Sequence, residues 1–323
     1  MGSLGVRRWR RAGLTAWTLA ILAAGWSLFT ARPAPAQTAV TTAESEWRAD
    51  LAQWRARREQ QVDAPDGWLT LVGLEWLKSG ANSVGAAGDN AIQLHTPAPD
   101  HIGLLTVSKT TVQLLSTVEG FPPDLTIDGQ PAREGPLVVE GGKPSVIGWH
   151  GVTMAVLDRG GRYALRIKDS DAAARKSFHG LNWYPADPHF SVEAQWIPYT
   201  PPHVEKIPTI IGTTLDLPSP GVAEFMLGET TYRLEPVLES PGARTLFFIL
   251  RDETGKDATY ETARFLHTGF PNNGLDKPGT LILDFNRLEN PPCAYTAYAT
   301  CPLPPEKNRL PVAIEAGEKR YAP

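Results

Sequence analysis

The chain of 323 residues has only two cysteines and three methionines. Two thiols exclude a disulfide-dense scaffold and any four-cysteine zinc module. Positive charge is not in surplus: 31 Lys and Arg stand against 35 Asp and Glu, a net of −4. That balance excludes a general nucleic-acid binder, because nothing basic would follow a phosphate backbone. His-Glu-x-x-His, Gly-x-Ser-x-Gly, the phosphate-binding P-loop and Gly-x-Gly-x-x-Gly are all missing from the sequence. Their absence argues against zincins, common serine hydrolases and ordinary nucleotide enzymes, and no cofactor is implied. Gly and Pro, 29 of each, are abundant and favour short strands joined by turns over long helices.

A long apolar run occurs once. Arg7, Arg8, Arg10 and Arg11 precede residues 12–29, which carry no charge, and the first acid is Glu44. Ala34-Pro35-Ala36 then gives a small-x-small site. Positive start, apolar middle and Ala-x-Ala end are the parts of a secretory signal peptide, expected to be cleaved after Ala36. An uncleaved membrane anchor is the alternative, since the run approaches the length of a span. Arg7-Arg8 lacks the continuation of a twin-arginine signal. Cleavage removes five arginines and no acid, leaving 26 basic against 35 acidic residues, a net of −9 over 287 residues. The expectation is an acidic periplasmic or secreted protein, unlike one held to an anionic membrane by charge.

Four segments are expected: a signal peptide at 1–36, a helical segment at 37–66, a β-sandwich at 67–168 and a second β-rich unit at 169–323. Trp47, Leu51 and Trp54 form an apolar stripe that predicts an amphipathic helix over 44–61, with Arg48, Arg55, Arg57 and Arg58 read as lying off it. Thr41-x-x-Glu44 reads as its capping box. Beyond Gly67, short β-branched runs alternate with turn residues. Ser79-Gly80, Asp128-Gly129, Gly160-Gly161 and Gly228-Glu229 read as tight turns between paired strands. In 162–168, Tyr163, Leu165 and Ile167 alternate with Arg162, Arg166 and Lys168, the pattern of a strand with one face in water. The fold class is therefore all-β: an antiparallel sandwich packed on a second β unit, with an N-terminal amphipathic helix.

Two resemblances follow from short motifs. Ser83-Val84-Gly85, Asp89-Asn90-Ala91-Ile92, Ile127-Asp128-Gly129 and Ile147-Gly148 resemble, in order, landmarks of a forkhead-associated sandwich. The arginine after the first glycine and the Ser-Arg-x-x-His stretch that hold phosphothreonine in that family are absent, so no phosphopeptide partner is expected. Leu283-Asp284-Phe285-Asn286, Asn290-Pro291-Pro292-Cys293-Ala294, Ala299 through Pro305 and Asn308-Arg309-Leu310 resemble an uncharacterised prokaryotic family, domain of unknown function 1684. Gly67 through Leu74 and Asn182 through Pro188 fit it as well, so the resemblance spans nearly the whole exported chain. It implies one cohesive unit and brings no activity.

Three groups of residues are candidates for chemistry. Cys293 and Cys301 are expected to form a disulfide in an exported protein. Free pocket thiols and a redox or nucleophilic pair are the alternatives, the last needing a nearby histidine, and none follows His267. Asp284 and Asn286 share a strand face, with Arg264 on an earlier strand. Asn290, Tyr295, Tyr298, Asn308 and Arg309 come from a loop stiffened by proline, where polar side chains either line a pocket or hold an irregular backbone. Arg309 with Asp284 is a third, purely structural option. His179, Asp187 and His189 offer zinc-type ligands at a spacing that matches no standard site, and are weak metal candidates. The expected function is binding of a small molecule or peptide near the Pro-rich loop. The alternatives are a hydrolase-like enzyme using Asp284 with Arg264 or Asn286, and a structural envelope protein.

Overall fold

The computed structural model describes residues 41–139 and 143–322. The segment read as a signal peptide lies outside the described residues. Thr41 starts helix α1 (Thr42–Val62): its hydroxyl accepts a hydrogen bond from the Glu44 amide at 3.1 Å, satisfying one of the donors a helix start leaves unpaired. Leu51 and Val62 are buried, and so is Arg58. Reading Arg58 as off the stripe is corrected here. It follows Trp54 by four residues and Leu51 by seven, which puts it on the same helix face. Trp54 meets Trp183 edge to face at 5.7 Å, and the Trp47 indole donates to Asp284 at 2.9 Å. The inner face of α1 is thus held by aromatic and ionic contacts as much as by apolar burial.

Eleven strands follow. They are β1 (Leu71–Trp76), β2 (Gly80–Gly85), β3 (Ile92–Gln93), β4 (Gly103–Val107), β5 (Val112–Leu115), β6 (Thr126–Ile127), β7 (Gln130–Pro131), β8 (Gly135–Leu137), β9 (Ile147–Trp149), β10 (Val152–Asp158) and β11 (Tyr163–Asp169). They form one sheet in the order β1-β11-β10-β9-β6-β7 and another in the order β3-β2-β4-β5-β8. Val84, Leu105 and Leu114 from the second sheet and Met154, Val156 and Leu165 from the first meet in one buried cluster. Gly160-Gly161 and Asp128-Gly129 close hairpins, and all four residues adopt positive φ, the backbone a two-residue turn of this hand demands. Ser79-Gly80 does not. The expected hairpin there is replaced by a change of sheet, since β1 pairs with β11 and β2 with β4. The buried Asn82 side chain explains the switch. It bonds the amide and carbonyl of Lys78 and the carbonyls of Gly80 and Leu105, supplying partners that a paired strand would have given.

The second β region contains β12 (Ser191–Pro208), β13 (Thr214–Leu227), β14 (Thr230–Leu234), β15 (Leu246–Leu250), β16 (Arg264–Thr268) and β17 (Gly279–Asp284). A sheet in the order β14-β13-β12-β17 and the pair β15-β16 enclose a core of Trp196, Phe225, Phe248, Leu266, Leu283 and Phe285. Trp196 and Ala194, two residues apart on one face of β12, are both buried, and Gly228-Glu229 closes the β13–β14 hairpin. A smaller cluster joins the two regions: Leu71 of β1 packs with Phe247, Ile249, Phe265, Ala299 and Cys301. Residues from Thr41 onward form one compact unit.

Candidate functional site

The join between the two β regions carries the polar groups that local packing does not use. β11 presents Arg166 and Lys168 on the face opposite its core residues, and neither faces open water. Both lie 5.7 Å from the Trp68 ring, which sits in a one-turn 3-10 segment before β1. The alternation that predicts a solvated face is right about which residues share a side and holds for the exposed Arg162, but Arg166 lies beside Phe265 and His267 of the second β region.

Arg166, Arg159, Trp68, Phe265, His267 and Thr300 are among the residues that border a cleft of about 440 Å³. Arg159 follows β10 and donates through Nε to the Thr300 hydroxyl at 2.9 Å. Among the described residues the Arg166 side chain makes no hydrogen bond or ion pair, and its Nε is buried without a partner. Burial, and then the neighbouring Arg159 charge, push the Arg166 pKa down to about 10. Burial likewise lowers Arg159, against the pull of Asp158, and lowers Lys168, which Arg166 repels further. Two guanidiniums thus line one wall of the cleft, and neither has a carboxylate within ion-pair distance among the described residues.

The facing wall is acidic. His267 on β16 stacks on Phe247 at 4.6 Å with an 8° tilt, between Glu239 at 3.2 Å and Glu289 at 3.5 Å. Burial opposes its charge, but the hydrogen bonds to both glutamates prevail and raise its pKa to about 9. Glu289 is held below the usual carboxylate range: burial works the other way, and Arg58 and His267 outweigh it. Behind it, Arg58 of α1 pairs with Glu318 at 2.7 Å and Glu289 at 3.1 Å. Glu318 accepts from Tyr295 at 2.7 Å and from the Asn290 amide at 2.8 Å, and burial raises its pKa. Asn290 also borders the cleft, and its Oδ1 is buried without a partner.

Cys293 and Cys301 are joined by a disulfide, with 6.2 Å between their Cα atoms. It ties Pro292 and Asn290 on one rim to Thr300 and Pro302 on the other. The remaining sequence candidates are placed elsewhere. Asp284 receives the Trp47 indole, Arg287 Nε at 3.1 Å and both the amide and side-chain nitrogen of Asn286, so its oxygens are engaged in holding the chain. Asn286 also exchanges hydrogen bonds with the Asp187 backbone. Arg264 does not meet Asp284. It is buried against Asp252 at 2.7 Å and donates to the carbonyls of Ile314 and Ala316. The Asp284–Arg264 pair of the hydrolase alternative is therefore not formed, while its Asp284–Asn286 pair is, and Arg287 takes the place considered for Arg309.

Asn308 bonds the backbone of Glu235 and Ile249, a fixing role for an irregular segment. Tyr298 is exposed, and Arg309 borders a separate shallow depression with Arg251 and Glu261. His189 pairs with Asp187 at 2.8 Å, while His179 is exposed and does not join them. Among the described residues the one group that brings three ligating atoms together is His203, Glu205 and Glu235, and Lys307 already bridges both glutamates at 2.7 and 2.5 Å. A larger depression of about 690 Å³ near Asn90, Asp100 and Phe121 has no arginine or lysine on its walls.

Sequence reasoning missed Arg159, Arg166, Trp68, Glu239 and His267. The one available signal was an arginine and a lysine alternating with core residues on a strand whose outer side no sequence pattern could show to be covered.

Residues 176–319 match the family described as "Protein of unknown function (DUF1684)". The match is narrower than the resemblance over nearly the whole chain beyond Ala36: Gly67 through Leu74 lie outside it. The acidic wall and the disulfide-tied loop fall inside the matched stretch, whereas Trp68, Arg159 and Arg166 precede it. A solution NMR structure of an uncharacterized protein from Haloarcula marismortui is 30% identical, covering 45% of this chain and 78% of that one, with a TM-score of 0.39. No curated protein matches the chain.

Proposed function

We propose that the protein binds a small organic anion in the cleft between β11 and the disulfide-tied loop. The observation that carries this reading is Arg166, a half-buried guanidinium with no partner among the described residues, beside a second arginine of the same charge. Placing two cations together out of water is unfavourable unless something of opposite sign completes them. A carboxylate or phosphoryl group meets a guanidinium through two parallel charge-assisted hydrogen bonds, each stronger than a neutral one. Trp68, Phe247 and Phe265 give the remaining walls an apolar character suited to the body of an organic molecule.

A hydrolase reading has less support. His267 is held as a cation between two carboxylates and is poorly suited to accept a proton, and the Thr300 hydroxyl faces Arg159. Export to an oxidising compartment is part of the proposal. The Arg-rich start, the apolar run and the Ala-x-Ala site support it, and the disulfide agrees with it. The N-terminal β region, with two sheets on one core, is consistent with a forkhead-associated-like sandwich whose phosphopeptide-reading residues are missing.

The test is a titration followed by intrinsic tryptophan fluorescence, against 3-phenylpropionate, phenyl phosphate and inorganic phosphate. Saturable binding of the organic anions is expected, weakened at least about tenfold in Arg166→Met, the loss of one charge-assisted contact. Equal affinity in Arg166→Met, or no saturable binding of any anion, overturns the reading.

A further inference from the structure

The acidic wall of the cleft suggests what else the ligand carries. Glu239, Glu289 and Glu318 belong to one connected cluster, and the cations paired with them are two, Arg58 and His267. Tyr295 and the Asn290 amide donate hydrogen bonds to Glu318 without adding charge. Glu239 and Glu289 border the cleft, and Glu239 is half exposed, with its Oε1 making no hydrogen bond among the described residues. The arginines therefore lack a negative partner among the described residues, and the three glutamates outnumber by one the two cations paired with them. Phe247, Phe265 and Ala299 lie among the apolar lining residues, and about 440 Å³ is far more than an inorganic ion fills.

Resting on the anion reading, we propose that the natural occupant is amphoteric, an amino-acid-like molecule with an apolar side chain. Its carboxylate meets Arg159 and Arg166, and its ammonium lies at Glu239 and Glu289. The ammonium supplies the positive charge the acidic cluster lacks, and the carboxylate supplies the counter-ion for the guanidiniums. Both are charge-assisted hydrogen bonds in a site partly shielded from water, where such contacts are stronger than at an open surface. A peptide terminus would present only one of the two charges, so a free amino acid or a close analogue fits better.

The experiment compares three probes on the full chain at neutral pH by calorimetry: L-phenylalanine, 3-phenylpropionate and phenethylamine. They share a ring and differ only in which charge they carry. Phenylalanine is expected to bind at least about tenfold more tightly than 3-phenylpropionate, the worth of one added charge-assisted contact, and phenethylamine not to bind. In Glu239→Gln, phenylalanine is expected to fall toward the affinity of 3-phenylpropionate, whose own affinity stays put. Equal binding of phenylalanine and 3-phenylpropionate overturns the amphoteric ligand and leaves the anion reading standing. That is the result if a proton on Glu318 balances the cluster instead. Phenethylamine binding as well as 3-phenylpropionate, or no binding of any probe at millimolar concentration, overturns both. The three probes decide the matter on the unmodified protein, so a variant that fails to fold cannot mask the outcome.

Discussion

Arg264 is fully buried and Arg166 half-buried, and their surroundings are opposite. Arg264 sits in the C-terminal β region with Asp252 at 2.7 Å and two backbone carbonyls, and Asp252 itself caps Thr254. Arg166 sits at the join between regions, with an aromatic ring beside it, another arginine near it and no anion among the described residues. The first arginine is complete within the fold. The second is complete only with something added, and that contrast separates a fastening from a binding group more clearly than burial does.

The contrast breaks most visibly if Arg264 is removed. Arg264→Met leaves Asp252 buried and uncompensated, with an expected loss of about 3–5 kcal/mol of unfolding free energy, measured by denaturant titration. A loss under about 1 kcal/mol would mean that Arg264 is not the fastening its contacts describe. His267 gives a smaller effect because a third of its side chain is exposed and solvent screens the pairs. Its folded pKa of about 9 lies above the unfolded value near 6.5. Its stabilisation is therefore fully present below about pH 6.5 and is lost as pH rises through 9. Stability measured between pH 6 and 9.5 is expected to fall in the native protein and to fall less in His267→Gln. Parallel curves would show that the glutamates do not hold the imidazolium. The smallest effect, and the one opposite in sign, belongs to Arg166→Met. Removing an unpaired, desolvated cation beside Arg159 is expected to leave the unliganded protein as stable as before or up to ~1 kcal/mol more so. Marked destabilisation would make Arg166 a second fastening and remove the comparison.

Legibility in the sequence followed the range of the interactions. Thr41 with Glu44, Asp128-Gly129, Gly160-Gly161 and Gly228-Glu229 act within a few residues, and the local chemistry of a cap or a positive-φ turn is written in those residues. Cys293 with Cys301 is nearly as local. Ser79-Gly80 carries the same turn chemistry and misleads, because Asn82 bonding to Leu105, 23 residues away, sends the strand to the other sheet. On β11, period-two alternation tells which side chains share a face and says nothing of what lies over it. The candidate site is less legible still. Arg58 reaches across 260 residues to Glu318, and Arg166 is brought opposite His267 by the meeting of two regions whose sequences carry no mark of each other. Asn290 and Tyr295 were singled out through the Pro-rich loop, and they lie at the edge of the cleft and behind it.

The disulfide has a bearing on how tightly any occupant is held. Cys293 and Cys301 clasp the two rims of one opening, and the prolines around them leave the loop few other shapes. An opening whose rims are already at their working separation gives up little freedom when a guest arrives, so more of the contact energy appears as affinity. Cutting the clasp would therefore be felt first in the grip on a small molecule, and only afterwards in the melting of the fold.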